Sequence, residues 1–304
     1  MQKPSFDPGL TQQFAGPLRR VINKDGSFNI LRVGITWRDF HPYLHLINMS
    51  WAGFLGTLFL GYLAVNTLFA AGYFLLPASA LQGSTAPDGM NRFLHDFFFS
   101  GHTLTTVGYG NMVPSGLAAN LLASLEGLVG VLGFAVATGL LFGRVSRPSA
   151  KIGFSENMLI SPYQDGTSLQ FRVVNRRVNS LVELEARVLL MTVDRNGGEA
   201  RRSYSLLKLE REKVLFLPLT WTVVHPIDRE SPLWGKTAAD LDRLQAEVLI
   251  LLKGYDDTFN QTVIARHSYR HDEMAWGARF APAFSVNPEG DLVLELRKVG
   301  ELTS

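Results

Sequence analysis

Two long apolar stretches constrain the fold of this chain more than any other feature. Residues 50–76 contain no Asp, Glu, Lys or Arg, and residues 97–143 contain a single one, Glu126. A helix needs about 20 mainly apolar residues to cross the hydrocarbon core of a bilayer. Most charged residues lie before, between or after these stretches. The sequence therefore predicts a membrane half with spans at about 50–76 and 117–145, followed by a soluble half.

A third apolar run, residues 93–104, lies between the two spans and is too short to cross a bilayer. A helix that enters the membrane and stops there must be buried in protein, with its backbone groups satisfied. The C-terminal end of such a helix carries the negative end of its dipole, which favours a nearby cation. We therefore predict a re-entrant helix at about 92–104, preceded by a polar external segment at 82–89.

The sequence Thr-Val-Gly-Tyr-Gly at positions 106–110 follows this short helix. Four copies of such a loop can line a pore with carbonyl oxygens that replace the hydration shell of K⁺. A row of carbonyls facing one axis needs alternating right- and left-handed backbone, which glycine adopts at low cost. The sequence therefore predicts a selectivity filter formed by Thr106, Val107, Gly108, Tyr109 and Gly110, with K⁺ held at the first four.

The second span carries the residues that we expect to line and bend the pore. Phe134, Thr138 and Phe142 recur at every fourth position, so they share one face of a helix. Core packing is the common role of such a stripe, but in a pore one face must line the conduit. Gly130 and Gly139 are candidate hinges in this helix.

Glu126 is an acid within a span and is therefore a functional candidate. We expect it to support the filter loop through hydrogen bonds rather than to contact ions.

Basic residues lie mainly outside the region between the spans. Arg92 is the only one in the connection, whereas six precede the first span (Lys3, Arg19, Arg20, Lys24, Arg32 and Arg38) and three follow the second (Arg144, Arg147 and Lys151). The positive-inside rule then predicts two cytoplasmic termini. No apolar segment follows a basic start within residues 1–47, so no cleaved signal peptide is expected.

Arg144, Arg147 and Lys151 form a basic linker next to the second span. Each basic residue near an anionic membrane surface is worth about 1 kcal/mol of attraction. The sequence predicts that this linker binds lipid, although such a cluster can also serve only as a topology anchor.

The rest of the chain divides into an interfacial segment and a β-rich domain. Residues 37–49 place apolar side chains near helical spacing, which predicts a helix in the membrane interface, or a short amphipathic soluble helix. Pro42 either starts or kinks this helix. Residues 152–304 contain alternating runs separated by turn sequences at 165–166, 196–198 and 288–290, which predict a β-sandwich.

Composition and motifs also exclude several classes of function. The chain has no cysteine and a net charge of +2, which exclude disulfides and thiolate metal sites and argue against a general nucleic-acid binder. No glycine-rich phosphate motif or metal-ligand spacing is found. An enzyme would have to use a scattered acidic and histidine set, for which we expect structural ion pairs and subunit contacts: His225, Asp228, Glu230, His267, His271, Asp272 and Glu273. A sandwich that senses a ligand is compatible with a channel, whereas a purely adhesive sandwich has no use for a filter.

The sequence resembles prokaryotic inward-rectifier potassium channels over nearly all of its length beyond the first twenty residues. Besides the filter, the resemblance rests on KDGSFN at 24–29, RPSAK at 147–151, WTVVHPIDRESPL at 221–233, ARHSY at 265–269 and WGARF at 276–280. The last three segments distinguish this family from other potassium channels.

The resemblance implies a homotetramer in the bacterial inner membrane, with regulation by anionic phospholipids or phosphoinositides. It implies a two-span pore followed by an immunoglobulin-like cytoplasmic β-sandwich. The expected segments are a cytoplasmic N-terminus at 1–36, a slide helix at 37–49, the pore domain at 50–146, the linker at 147–151 and the sandwich at 152–304.

The resemblance also implies roles for individual residues. Phe134 occupies a position that is acidic in strong rectifiers, so block by internal Mg²⁺ or polyamines should be weak, while Ba²⁺ is an expected blocker. Phe142 matches the gate at the bundle crossing, and Glu183 matches an acidic lining of the cytoplasmic vestibule. His102 stands where many relatives carry a Glu that pairs behind the filter. We expect His102 to be a neutral, hydrogen-bonded imidazole rather than a pH sensor.

Overall fold

The computed structural model describes residues 8–10, 13–14, 20–34, 36, 39, 41–83, 90–146, 150–194 and 200–303. The chain forms two compact units. One consists of Val33–Arg147, and the other combines Met1–Arg32 with Pro148–Ser304. The first is helical and the second is β-rich.

The described residues of the first unit form four α-helices, and local sequence explains where the first two begin. They are α1 (Pro42–Asn48), α2 (Trp51–Leu75), α3 (Met90–Leu104) and α4 (Gly116–Val145). Pro42 occupies the first turn of α1, where its fixed φ suits a helix start. The Ser50 hydroxyl caps α2 by accepting from the Gly53 amide over 3.1 Å. Residues 37, 38 and 40 of the predicted slide helix lie outside the described residues.

Both α2 and α4 are long and apolar enough to cross a membrane, as the sequence predicted. With 15 residues, α3 is roughly 22 Å long at 1.5 Å per residue, which is less than the thickness of the hydrocarbon core. Its length is therefore that of the predicted re-entrant helix. Around the filter, the short strands Leu81–Gln82 and Val113–Pro114 pair in antiparallel register.

The second unit is a β-sandwich, which confirms the predicted fold class. Its strands in chain order are β1 (Gln13–Phe14), β2 (Ile152–Phe154), β3 (Met158–Tyr163), β4 (Gly166–Asn175), β5 (Leu181–Asp194), β6 (Ala200–Leu206), β7 (Lys213–Phe216), β8 (Thr220–Ile227), β9 (Glu247–Asp256), β10 (Gln261–Arg270) and β11 (Met274–Trp276). One sheet has the order β1-β6-β5-β9-β10, with β7 also paired to β5. The other has the order β8-β4-β3-β11, with β2 also paired to β4.

Buried and surface side chains alternate along the strands, and the buried ones form the core between the two sheets. Leu184, Ala186 and Val188 on β5 are buried, as are Ile250 and Leu252 on β9, while the residues between them reach the surface. This period of two is the one expected when one face of a sheet is covered. Smaller two-stranded sheets lie at the C-terminal end, where Arg279–Phe280 pairs with Leu302–Thr303 and Phe284–Val286 with Leu292–Leu294.

The N-terminal segment is held on β9 and β10 by a buried acid. The Glu247 carboxylate accepts from the Val21 amide at 3.1 and 3.0 Å, and the Ser268 hydroxyl donates to the Ile22 carbonyl over 2.6 Å. Arg20 donates to Ser268 and forms an ion pair with Glu273. Because buried backbone groups require partners, these side chains let an irregular segment lie against the sheet.

His267 lies beneath this segment. Its ring stacks on Phe154 with centroids 4.5 Å apart, and its Nδ1 lies 3.2 Å from the Lys24 carbonyl. Burial lowers the pKa of His267 to about 4, so the ring is neutral at pH 7.

Candidate ion filter and pore

The backbone of the filter loop alternates in the way that a row of carbonyls requires. Thr106, Gly108 and Gly110 have φ values of 59°, 52° and 80°, whereas Val107 and Tyr109 remain at negative φ. Glycine adopts the left-handed region freely, but Thr106 does so at a cost of about 1–2 kcal/mol. The strain at Thr106 shows that the end of α3 and the loop together impose this conformation.

The end of α3 holds the filter through its free carbonyl groups. The His102 carbonyl accepts from the amides of Val107 (2.9 Å) and Gly108 (3.2 Å), and the Gly101 carbonyl accepts from the Thr105 amide (3.1 Å) and hydroxyl (2.6 Å). These bonds satisfy acceptors that a helix leaves unpaired at its C-terminus.

The His102 side chain makes an aromatic contact. Its ring meets the Tyr109 ring edge to face, with centroids 4.8 Å apart at 86°. Within the described residues no side-chain hydrogen bond of His102 is found, so the expected hydrogen-bonded imidazole stays a prediction.

Glu126 joins three helices behind the filter. The carboxylate is fully buried, accepts from the Tyr73 hydroxyl of α2 over 2.7 Å and accepts a shorter bond from the Ser100 hydroxyl of α3. The Ser100 hydroxyl also lies 3.1 Å from the Asn66 carbonyl of α2. A buried carboxylate requires such partners, because burying an unpaired polar group is costly.

Sequence analysis missed Tyr73, Ser100 and Asn66 as partners of this site. All three are polar residues within apolar runs and at most 1% exposed. Intramembrane polarity alone could have identified Asn66 and Ser100 as candidates. Separately from this site, Arg92 donates to the Leu76 carbonyl at the end of α2 and lies 3.9 Å from Asp96.

Most side chains of α4 are not covered by other parts of this chain. Phe134 and Phe142 are 77% and 72% exposed, and Thr138 between them is also exposed. Only Ala119 and Glu126 of this 30-residue helix are buried. Exposed apolar surface of this extent must be covered by lipid or by other copies of the chain.

The two candidate hinge glycines have different surroundings. A β-carbon at Gly130 would overlap the Leu104 carbonyl oxygen at the end of α3, whereas one at Gly139 would meet no atom within 4 Å. Gly130 is therefore required for the close approach of α4 to α3, whether or not the helix bends there. A β-carbon at Gly143 would lie 2.7 Å from the Tyr43 hydroxyl of α1.

Arg144 is engaged by the end of α1. Its guanidinium donates to the carbonyls of Leu46 and Ile47, both over 3.1 Å, and to the Met49 carbonyl. It also lies 4.6 Å from the centre of the Trp51 ring. A cation at these carbonyls complements the negative end of the α1 dipole. The donors of Arg144 that we predicted for lipid are thus largely used within the protein.

The other predicted lipid ligands are less fully described. The Lys151 side chain is exposed, and its carbonyl accepts from the Arg176 amide over 2.9 Å. Arg147 lies outside the described residues.

Glu183 lies in a β-bulge at the start of β5. Lys253 pairs with Glu185 and Tyr255 with Val182, so two residues of β5 stand opposite Gly254 alone. Glu183 is exposed and has φ of 51°. Bulges of this kind redirect a side chain. Nearby, Glu185 pairs with Arg187 (3.0 Å) and Lys213 (3.6 Å), and these contacts lower its pKa.

The acidic and histidine set of the soluble domain is divided among separate structural contacts. His225 lies between the Lys208 carbonyl (2.6 Å) and the Ser231 hydroxyl (2.8 Å), and burial lowers its pKa. His271 faces Asp242, while Glu273 pairs with Arg20 and Lys24. No group of three or more potential metal ligands occurs among the residues that the structure describes.

A filter loop carried by a short helix between two membrane spans, with a β-sandwich attached, defines a channel of the potassium type. Comparisons with known proteins agree. A family model described as an ion channel matches residues 53–147, and one described as the inward rectifier potassium channel C-terminal domain matches residues 152–304.

Curated relatives match nearly the whole chain. Inward rectifier potassium channel Kirbac3.1 of Paramagnetospirillum magnetotacticum is 38% identical over 93% of this chain and 95% of its own length. G protein-activated inward rectifier potassium channel 3 of Mus musculus is 27% identical over 94% of this chain and 78% of its own. The chain belongs to the inward rectifier potassium channel family, and it is an ion channel rather than an enzyme.

Replacing Gly130 by Ala should destabilise the membrane unit. The added methyl group would force α4 away from Leu104, and overpacking of this kind typically costs about 1–3 kcal/mol. Thermal unfolding of the full chain in detergent, followed by size-exclusion chromatography, would measure the loss. Gly133→Ala is the matched control, because a β-carbon there meets nothing within 4 Å and Ala favours a helix. Equal melting temperatures for the two variants would contradict the close-packing role.

Proposed function

We propose that four copies of this chain form a potassium-selective channel that conducts K⁺ passively across the bacterial inner membrane, with both termini in the cytoplasm. Thr106, Val107, Gly108, Tyr109 and Gly110 of each copy line the filter. His102 and Glu126 support the filter from behind. Phe134, Thr138 and Phe142 line the conduit, with Phe142 at the gate and Gly130 and Gly139 as bending points. Glu183 lines the vestibule of the cytoplasmic domain, through which the pore is gated.

The alternating backbone of residues 106–110 carries this proposal. A single loop offers one row of carbonyl oxygens, whereas replacing the hydration shell of K⁺ takes the rings that four loops provide. The uncovered surface of α4 and the exposure of Val107 (52%) and Tyr109 (74%) in one subunit support an assembly in which other copies cover them. The dipole of α3 adds a favourable field for a cation at its C-terminal end.

Rubidium uptake into liposomes that contain the purified chain tests conduction and selectivity. We expect Ba²⁺ to block the uptake of Rb⁺. We also expect added K⁺ to compete with Rb⁺ far more effectively than added Na⁺ does. Gly108→Ala should abolish selective uptake, because the left-handed backbone at φ of 52° is unfavourable for alanine by about 1–2 kcal/mol in every subunit. Gly127→Ala, at a helical position with open space, is the control and should retain uptake. Equal Na⁺ and K⁺ flux, or none in any lipid mixture, would count against the proposal.

Phe134→Asp should strengthen block by internal polyamines. Phe134 is exposed in one subunit, and four copies would place a ring of carboxylates in the conduit. Patch recordings with internal spermine should show a steeper voltage dependence of block than in the parent, in which block should be weak. The Phe134→Leu variant, whose side chain has roughly the shape of Asp without its charge, controls for loss of the ring. Block that is unchanged by Asp would show that this side chain does not face the conduit.

The basic linker is the proposed site of regulation by anionic phospholipids or phosphoinositides. The linker joins the pore-lining helix to the soluble domain, so a head group bound there can bias gating if it prefers one of two states. Because the Arg144 guanidinium is engaged by α1, Arg147 and Lys151 are the chief lipid contacts in this proposal.

Neutralising Arg147 and Lys151 together should reduce the response of flux to anionic lipid while K⁺ selectivity is retained. Four subunits would lose eight charges, each worth about 1 kcal/mol of attraction. Flux is measured in liposomes with increasing fractions of phosphatidylglycerol. A double mutant of two basic residues elsewhere, Arg187→Gln with Lys213→Gln, controls for net charge. If flux in the linker mutant follows lipid content as in the parent, the linker is only a topology anchor.

A further inference from the structure

One end of the β-sandwich contains an open apolar cavity that the channel function does not use. Its volume is about 540 Å³, within the range of roughly 300–1,000 Å³ that is common for small-molecule sites. Its floor consists of four side chains of the sandwich core, none more than 8% exposed: Ile160, Ile227, Leu233 and Leu241. The floor is therefore apolar and continuous with the core of the sandwich.

Two Trp-Gly pairs form the walls of this cavity. Trp234 is 54% exposed and Trp276 is 42% exposed. Each is followed by a glycine in the left-handed region, Gly235 at φ of 68° and Gly277 at φ of 74°. The Gly277 amide donates to the Ile160 carbonyl over 2.8 Å, and this hydrogen bond fixes the backbone next to Trp276 to β3. Leaving two indole rings half exposed beside an apolar floor is costly in water, and a ligand that covers them would recover that surface.

A single cation lines the cavity. Among the residues that the structure describes, the Lys236 ammonium makes no ion pair within 4 Å. Asp240 is its acidic neighbour, and the pKa of Asp240 is lowered chiefly by hydrogen bonds from Thr237 and to a smaller extent by the charges of Arg243 and Lys236. Both oxygens of Asp240 are engaged, however, one by the amide and hydroxyl of Thr237 and the other by Arg243 at 2.5 Å. Lys236 is thus free to bind an anion.

We propose that this cavity binds a small aromatic carboxylate. The ring would lie on the apolar floor between Trp234 and Trp276, where edge-to-face or offset-stacked contacts with the indole rings add to the effect of burial. The carboxylate would accept from Lys236, since hydrogen bonds between charged partners are stronger than neutral ones. Such a site gives the soluble domain a ligand of its own, separate from the filter and from the basic linker.

Three probes of matched shape and different charge test the proposal: 3-phenylpropionate, 3-phenylpropanamide and 3-phenylpropylamine. None is excited at 295 nm, so the tryptophan emission of the full chain in lipid nanodiscs reports binding directly. We expect a saturable change with the carboxylate and binding at least about tenfold weaker with the amide and the amine. Trp276→Phe and Trp234→Phe should each remove part of the change. Empty nanodiscs correct for partition of the probes into lipid.

Lys236→Ala should weaken carboxylate binding about tenfold and leave amide binding unchanged, while Lys236→Arg should restore it. Lys213→Ala removes a lysine outside the cavity and is the matched control. Equal binding of the three probes, or equal affinity in Lys236→Ala and the parent, would overturn the proposal. Protection of Trp234 and Trp276 from acrylamide quenching in the unliganded channel would overturn it too, because the cavity would then be a contact between copies. None of these measurements depends on ion conduction, so their failure would not bear on the channel itself.

Discussion

A buried carboxylate organises the membrane unit. Glu126 is the only charged residue of α4 before its last turn, and it is fully buried. Its oxygens are satisfied by hydroxyl groups from α2 and α3. An acid in this environment is stable only when its partners are in place. The helices α2, α3 and α4 are therefore fixed together at the level of Ser100, one turn before the end of α3.

Close contact between backbones extends this constraint to the filter itself. Gly130 lies one turn after Glu126 on α4, and its missing side chain lets the Leu104 carbonyl approach. The adjacent His102 carbonyl then holds the amides of Val107 and Gly108. Small residues at helix contacts are the general means of packing helices in membranes, where burial of apolar surface gives little preference for one neighbour over another. The positive φ of Thr106 is tolerated because these contacts define the path of the chain on both sides.

Side chains that satisfy backbone groups recur in both units. In the membrane unit, Arg144 binds the last carbonyls of α1, so a short helix that could not persist alone is attached to the end of α4. In the β-rich unit, Glu247 and Ser268 hold the segment at Val21 and Ile22. In each case a polar or charged side chain replaces the regular hydrogen bonds that a helix end or an irregular segment lacks. These contacts join segments distant in the sequence within a unit.

The sequence by itself determined the two spans, the short helix, the filter motif and the β-sandwich, because each depends on local composition or on a period of two along a strand. Tertiary structure alone decided which hydroxyl groups donate to Glu126 and that the Arg144 guanidinium binds the carbonyls of α1. It also decided that the Leu104 carbonyl approaches Gly130 too closely for a side chain at that position. Tertiary structure likewise placed Thr106, as well as Gly108 and Gly110, in the left-handed region. It also brought two Trp-Gly pairs more than 40 residues apart to one cavity. These features depend on the approach of residues far apart in the chain, and composition and periodicity carry no information about which distant groups meet.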